Sequence, residues 1–380
     1  MRRIALINQK GGVGKTTTTV NLGAALARAG RRVVVIDLDP QANLSLHLDV
    51  QLESGEPSTY AVLLGNCAFG AALRDSKTPG LRLLPSNIDL SGAELELANA
   101  FGRELILRDA IDTWEKEHRE QHGEAPADYV LLDCPPSLGL LSINGLVAAF
   151  ETVISVQTEF FALQGMTKLV DIVGLLRRRL NPRLEITGFL PCLYDNRTKL
   201  AREVIAELRS HFPGKVFTRA IAKNVKLAEA PSYGKTIFEY ASESTGAQDY
   251  ELVAAEVMAQ EAAHAELLAR FPAPPTSAPP RSAASISASS LSTSSTPPSR
   301  GAPAHKPMSH TPSNHKQSTR ATESAAEAAT TSATTLERPA VLAQIDLEPR
   351  SSVKSPPEHA NDDELPELPP DAVLLEGAAD

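Results

Sequence analysis

Two hydrophobic patterns alternate over roughly residues 1–270. One is a short uninterrupted apolar run, and the other is a longer segment in which apolar residues recur at every third or fourth position. Runs such as Val33–Ile36 and Val130–Leu132 are apolar throughout, which is typical of parallel strands that helices cover on both faces. The predicted strands are Arg3–Asn8, Arg32–Asp39, Leu81–Pro85, Tyr129–Asp133, Thr152–Gln157, Leu184–Leu193 and Lys215–Ile221. The predicted helices fall between them, at about 16–29, 91–119, 138–149, 164–180, 198–211 and 247–270.

This alternation of strands and helices predicts an α/β fold, a doubly wound and mostly parallel sheet flanked by helices. Such a sheet binds its ligand at the carboxyl ends of the strands. Gly30 is the expected end of the first helix. Glu94 follows Ser91 by three positions, the spacing of a capping box, so a helix is predicted to start near Ser91.

Composition separates the end of the chain from the rest. Residues 272–380 contain no Phe, Tyr or Trp, and they hold 17 of the 28 prolines together with runs rich in Ser, Ala and Thr. Such a segment cannot bury enough apolar surface to offset the entropy of its chain. The sequence therefore predicts one folded domain over residues 1–271 and a disordered tail with an acidic end over residues 272–380.

The net charge of −9 is unevenly distributed. The segment Lys168–Lys235 carries 14 basic and 6 acidic residues, a local charge of +8 within an acidic protein. A patch of this kind can bind the phosphate backbone of a nucleic acid whatever the average charge. Ordinary solvated helix faces would explain the same count, and charge alone does not choose between the two.

The cysteines and the apolar runs indicate the compartment. Cys67, Cys134 and Cys192 are far apart and show no metal-ligand spacing, so Cys134 and Cys192 are expected to be buried free thiols. The chain opens directly into the first predicted strand, without a signal peptide, and no apolar run approaches the roughly 18 residues of a membrane span. A cytoplasmic protein is expected, with no contact to a membrane.

A glycine-rich segment, Lys10–Thr17, lies between the first strand and the first helix. At such a junction consecutive backbone N–H groups and the helix N-terminus converge on anionic oxygens, so this segment is predicted to bind the phosphates of a nucleotide. The backbone donors would come from Gly11, Gly12, Val13 and Gly14. Lys15 would neutralise the β- and γ-phosphates, the Thr16 hydroxyl would ligate Mg²⁺, and Thr17 would contact the α-phosphate.

The loop departs from the standard pattern at its start. Gln9 stands where the consensus has a glycine, and an additional lysine, Lys10, follows it. Lys10 is too close to the backbone of its own loop to be needed by the same phosphates. We expect it to project outward, toward a nucleotide held by a second subunit.

Acidic residues end two of the predicted strands. Asp39 is predicted to enter the loop beside the γ-phosphate, where it can orient the attacking water, with Asp37 behind it. The central strand leads through an apolar run to Asp133, the Walker B arrangement, in which the carboxylate holds Mg²⁺, usually through water. Loop acids that simply terminate a strand remain an alternative for Asp37 and Asp39.

Six segments, in this order, resemble the ParA/Soj partition ATPases: Lys10–Thr17, Asp37–Gln41, Asp133–Gly139, Gln157–Leu163, Asp195–Thr198 and Asn224–Ser232. The resemblance covers roughly residues 2–265. It implies a P-loop NTPase with a deviant Walker A loop, which hydrolyses ATP slowly with Mg²⁺ and forms an ATP-bound homodimer in which Lys10 reaches the partner's nucleotide.

The resemblance also implies a biological role. The dimer would bind DNA non-specifically, a ParB-type protein would stimulate hydrolysis, and the protein would segregate a chromosome or plasmid while associated with the nucleoid. Arg197 and Lys226 occupy positions at which the family has DNA-contacting arginines, and lysine keeps the charge but loses the planar fork. Asn224 is the expected adenine contact, although Ala222-Lys223 precedes it where the family usually has Pro-Arg.

Other members of the superfamily provide alternatives. A MinD-like membrane-cycling ATPase would end in a basic amphipathic helix, whereas this chain ends acidic and rich in proline. A tyrosine autokinase needs a tyrosine cluster, and an iron–sulfur carrier needs paired cysteines, neither of which the sequence offers. A ParA-like ATPase that positions another cargo would have the same sequence features, so that alternative stays open.

Overall fold

The computed structural model of the protein describes residues 1–159 and 162–270, with the backbone alone at residues 162–164. The tail predicted over residues 272–380 lies outside this range, and so do Phe160 and Phe161. The division into a folded domain and a disordered tail accordingly stays a prediction.

Within the described residues the chain forms one seven-stranded sheet. The strands are Arg2–Ile7 (β1), Val33–Asp37 (β2), Arg74–Asp75 (β3), Leu81–Leu84 (β4), Tyr129–Asp133 (β5), Glu151–Gln157 (β6) and Glu185–Cys192 (β7). Their order is β3-β4-β2-β5-β1-β6-β7, and every neighbouring pair is parallel except β3 and β4. The predicted doubly wound, mostly parallel sheet is confirmed.

Helices connect the strands. They are Lys15–Arg28 (α1), Asn43–His47 (α2), Thr59–Leu63 (α3), Phe69–Ala72 (α4), Leu90–Glu96 (α5), Ile106–His122 (α6), Leu140–Ala148 (α7), Ala162–Arg179 (α8), Lys199–His211 (α9), Val225–Glu229 (α10), Ile237–Tyr240 (α11), Thr245–Ala259 (α12) and Glu261–Arg270 (α13), with a 3₁₀ turn at Ala230–Tyr233. The helix predicted at 247–270 is thus two helices, which meet at Gln260.

The centre of the sheet is buried on both faces, as the uninterrupted apolar runs predict. Every residue of β1, β2 and β5 is buried. The two arginines at the start of β1 are buried because carboxylates compensate their charge: Arg2 pairs with Glu151, and Arg3 pairs with Asp112 and Glu115. These ion pairs lie at the amino end of β1, so the carboxyl end is left for the loop that follows.

The prediction of a strand at Lys215–Ile221 is wrong. The segment lies beside β7, and Phe217 and Ile221 each donate a backbone hydrogen bond to that strand, but the bridge of Val216 with Phe189 is isolated. Between Phe217 and Ile221 the backbone turns away from β7, since the N–H groups of Thr218 and Arg219 donate to Glu256 of α12. A side-chain acceptor thus interrupts the ladder that a regular strand would continue.

The helix predicted at 91–119 is divided into α5 and α6. Gly102 lies in the turn between them with φ of 68°, a left-handed conformation that glycine adopts without strain. The predicted capping box at Ser91 is also wrong, because α5 already begins at Leu90. Glu94 instead accepts a hydrogen bond from the backbone of Leu141 at 3.4 Å.

Candidate nucleotide-binding site

The candidate site lies at the carboxyl ends of β1, β2 and β5. The register places Leu6 of β1 beside Asp133 of β5, and Asp133 in turn beside Asp37 of β2. The glycine-rich loop leaves β1 at this edge and enters α1. Neighbouring parallel strands therefore bring the loop and both strand-end acids together, as the sequence predicts.

The loop has the backbone that phosphate binding requires. Gly12 and Gly14 have φ of 72° and 89°, so a side chain at either position would be strained. Gly14 is the N-cap of α1, and no side chain caps the helix there. The first N–H groups of α1 are thus available to an anion.

Lys15 is buried, 7% exposed, at the first turn of α1. Among the described residues its ammonium donates one hydrogen bond, a long one of 3.3 Å to the carbonyl oxygen of Lys10. Burial lowers the pKa of Lys15, while the charges of Asp133 and Asp39 oppose that shift. A buried ammonium with so little compensation fits the anionic phosphates that the loop geometry implies.

Asp133 is buried and hydrogen-bonded to the start of α1. Its two oxygens accept from the hydroxyls of Thr16 at 2.7 Å and Thr19 at 3.2 Å. Burial raises the pKa of Asp133 to about 7, and the nearby charge of Asp37 acts in the same direction. The predicted Mg²⁺ ligands, Thr16 and Asp133, are therefore in direct contact.

The two donors, Thr16 and Asp133, suit Mg²⁺ bound together with a nucleotide better than a metal ion held by protein ligands alone. The described residues contain no cluster of three or more His, Cys, Asp or Glu side chains that could hold a metal ion. Mg²⁺ at nucleotide sites is typically bound through one or two protein groups, waters and the phosphates themselves. When bound, the ion would offset the negative charge of the phosphates.

The structure separates the roles of Asp37 and Asp39. Asp37 is fully buried, and one of its oxygens accepts from both the backbone and the hydroxyl of Ser45, at 2.9 and 2.7 Å. Burial raises the pKa of Asp37 to about 6. Asp39 is half-buried, and its side chain accepts from the Gln41 backbone at 3.0 Å. Asp37 thus fixes α2, and Asp39 is the acid presented at the loop.

The two predicted DNA-contacting residues lie on segments that adjoin after β7. The backbone of Lys223 donates to Tyr194 at 3.0 Å, so the segments that carry Arg197 and Lys226 leave the sheet side by side. Both side chains are exposed and both are paired, Arg197 with Asp195 at 2.7 Å and Lys226 with Glu229 at 3.0 Å. A phosphate backbone would have to compete with these carboxylates.

Asn224 is the N-cap of α10. Its side-chain oxygen accepts from the backbone of Lys226 at 2.8 Å and of Leu227 at 3.3 Å. Its amide donates to Thr245 at 2.7 Å. The expected adenine contact therefore has a structural role that the sequence analysis missed, although Asn before a short helix is a common cap.

We expect Asn224→Ala to lower the free energy of unfolding by about 1 kcal/mol, since two backbone donors of α10 lose their acceptor. Asn224→Asp keeps that acceptor and should unfold close to the wild type. Thermal or urea unfolding followed by circular dichroism measures both. An equal loss in the two variants would show that the cap is not what Asn224 contributes.

Sequence reasoning also missed residues around the loop. Lys10, expected to point outward, hydrogen-bonds to Gln157 and Glu159 at the end of β6. Cys192 of β7 lies beneath Gly14, 3.6 Å from where a Cβ would stand. The sequence does contain polar residues at the end of β6 and a small residue at the end of β7. It did not show that these two strands follow β1 in the sheet, which is what brings their ends to the loop.

A glycine-rich loop between strand and helix, a buried lysine and a buried aspartate on the adjacent strand together define a P-loop nucleotide-binding protein. A family model described as an AAA domain matches residues 1–186. The chromosome partitioning protein ParA of Caulobacter vibrioides is 42% identical over 261 residues, 69% of this chain and 95% of that protein. The chromosome-partitioning ATPase Soj of Thermus thermophilus is 47% identical over 260 residues, which are 68% of this chain and 96% of that protein. The chain belongs to the ParA/Soj family of partitioning ATPases.

A solved structure extends the comparison. Cobyrinic acid a,c-diamide synthase from Mycobacterium smegmatis, with bound ADP and magnesium, is 35% identical with a TM-score of 0.59 and covers 69% of this chain and 96% of its own. Its name differs from those of the partitioning proteins, so the fold alone does not choose the activity. Among the described residues, no helix has the length and apolar character needed to span a membrane.

Proposed function

We propose that the protein is an ATP-dependent dimerising ATPase that binds DNA non-specifically and segregates a chromosome or plasmid together with a ParB-type partner. The observation that carries the proposal is the meeting of Lys15, Thr16, Asp39 and Asp133 at one sheet edge, in a chain 42–47% identical to ParA and Soj proteins over almost their full length.

ATP and Mg²⁺ are the proposed ligands. The loop N–H groups and Lys15 would bind the phosphates, and Thr16 and Asp133 would hold the metal ion that bridges them. ADP and magnesium bound to the Mycobacterium smegmatis protein support this assignment. Asp39 would orient the water that attacks the γ-phosphate, since its half-buried carboxylate is held at the loop after β2, on the same edge of the sheet as Lys15.

Dimerisation is proposed because Lys10 is additional to a loop that already has its phosphate lysine. Lys10 and Gly11 lie on the exposed side of the loop. A Cβ at Gly11 would meet no atom within 4 Å, and Gly11 lacks the positive φ of Gly12. The single chain therefore tolerates a side chain at position 11. A substitution there tests whether a second subunit packs against the loop.

ATP with Mg²⁺ should convert the wild-type monomer to a dimer, and Gly11→Val should bind ATP yet remain monomeric, since its side chain would obstruct only an approaching partner. Lys10→Ala should behave likewise. Light scattering coupled to size exclusion measures the mass, and a fluorescent ATP analogue measures binding. A wild type that stays monomeric with ATP, or a Gly11→Val protein that still dimerises, would count against the dimer.

DNA binding is proposed from the exposed basic surface formed by Arg197, Lys223 and Lys226, whose segments adjoin at the end of β7. One such surface would bind DNA too weakly by itself, and dimerisation would place two of them on the same DNA. Binding should therefore require ATP. Contacts to phosphates are independent of base sequence and weaken with salt. The ParB-type partner follows from the family membership and would act on the ATP-bound dimer.

A further inference from the structure

The ammonium of Lys10 is held by hydrogen bonds to two side chains of its own chain. It donates to Gln157 Oε1 at 2.9 Å and to Glu159 Oε2 at 2.6 Å. The Gln157 amide in turn donates to Glu159 Oε1 at 2.5 Å. We call this closed triangle of Lys10, Gln157 and Glu159 the Lys10 cage. It is accessible to solvent, because Lys10 and Glu159 are both 54% exposed.

The fold brings the cage together. β6 pairs with β1 through Ile7 and Ile154, so both strands end at the same edge of the sheet. Asn8 then fastens the start of the loop, because its amide donates to the Ser155 carbonyl at 2.6 Å and its oxygen accepts from the Lys10 backbone at 2.9 Å. Lys10 is thereby directed along the end of β6.

The cage is connected to the phosphate site through the backbone of the same residue. The Lys10 carbonyl accepts the hydrogen bond of Lys15 Nζ at 3.3 Å. Phosphate oxygens would replace that carbonyl, since an anionic acceptor also neutralises the charge of the ammonium, whereas the carbonyl offers only a long hydrogen bond. A bound nucleotide would therefore release the carbonyl of Lys10, while the cage would still hold its side chain.

We propose that Gln157 and Glu159 are positioning residues for Lys10, which hold its ammonium on its own subunit without nucleotide and so set the ATP concentration at which two chains associate. The proposal rests on the proposed ATP-dependent dimer. Lys10 cannot occupy the cage and reach a partner's nucleotide at once, so the cage competes with the dimer. Exposed ion pairs are weak, and the effect on the ATP midpoint should be about two- to fivefold.

The cage itself is tested without nucleotide, by the rate at which a mild amine acetylating reagent modifies Lys10, followed by mass spectrometry. Acetylation requires the amine to leave its acceptors, so Glu159→Gln should react faster than the wild type and Glu159→Ala faster still, by about two- to fivefold. Gln157→Glu adds a second carboxylate and should react more slowly.

A matched control exists elsewhere on the surface. Lys77 pairs with Asp49 at the same 2.6 Å, with exposures of 56% and 57%. Asp49→Asn should speed the acetylation of Lys77 and leave that of Lys10 unchanged. The same variant should not alter dimerisation, because this pair lies away from the loop.

The second measurement is the ATP concentration at half-maximal dimerisation, determined by light scattering on the full chain. Glu159→Gln and Glu159→Ala should lower it about two- to fivefold, and Gln157→Glu should raise it. A wild type that never dimerises contradicts the proposed function. Unchanged Lys10 acetylation in Glu159→Ala overturns the cage, and a midpoint that is unchanged or raised in that variant overturns its link to dimerisation.

Discussion

Asp39→Ala is expected to bind ATP like the wild type, to hydrolyse it at least about 10²-fold more slowly, and to persist as a dimer. Asp37, Thr16 and Asp133 would still hold α2 and the metal ion, so the loss should fall on the attacking water alone. Steady-state phosphate release gives the rate, and light scattering gives the lifetime of the dimer. Equal turnover in variant and wild type would remove Asp39 from the mechanism.

Asp39→Asn is the matched variant for this test. Its side-chain oxygen can still accept from the Gln41 backbone, as Asp39 does at 3.0 Å, so the turn after β2 is kept while the charge is removed. Hydrolysis should be lost as in Asp39→Ala. If Asp39→Asn retained the wild-type rate, the turn rather than the carboxylate would be what hydrolysis needs.

Lys15→Ala should differ in kind from the Asp39 variants. Lys15 is the buried cation of the phosphate site, so its removal leaves the charge of the γ-phosphate without compensation. The dimer itself should then fail to form, whereas Asp39→Ala should accumulate it. The two variants together separate formation of the dimer from hydrolysis, and light scattering with ATP measures the difference.

Arg197→Glu combined with Lys226→Glu is expected to abolish DNA binding while ATP-dependent dimerisation continues. Neither residue belongs to the nucleotide loop, and each would present a carboxylate to the phosphates beside Asp195 or Glu229. Wild-type binding should require ATP, should be equal on two unrelated duplexes, and should fall with salt by roughly 0.9 in log–log slope for each contacted phosphate. Gel-shift titrations with and without ATP measure this.

A double variant elsewhere controls for net charge. Lys77→Glu with Lys116→Glu makes the same change at side chains that are 56% and 62% exposed, outside the basic segment Lys168–Lys235. Its DNA affinity should stay close to the wild type. Loss of binding in this control, or sequence-specific or ATP-independent binding by the wild type, would contradict the proposed DNA surface.

The sequence by itself determined the phosphate loop, the acid at the end of the central strand and the type of sheet. These features depend on local spacing, since a loop, a strand end and an apolar run each occupy a few consecutive residues. The buried Asp133 lies near Lys15, because the carboxyl ends of adjacent parallel strands meet at one edge.

The tertiary structure decided what depends on sheet order and on distant acceptors. Only the pairing of β6 with β1 shows that Gln157 and Glu159 accept hydrogen bonds from Lys10. From the sequence alone, Lys10 is expected to project toward a second subunit. Only the packing of α12 explains why Lys215–Ile221 is not a regular strand, because the carboxylate of Glu256 accepts from the N–H groups of Thr218 and Arg219. Contacts between residues so far apart in the chain follow from the folded sheet, and no local pattern encodes them.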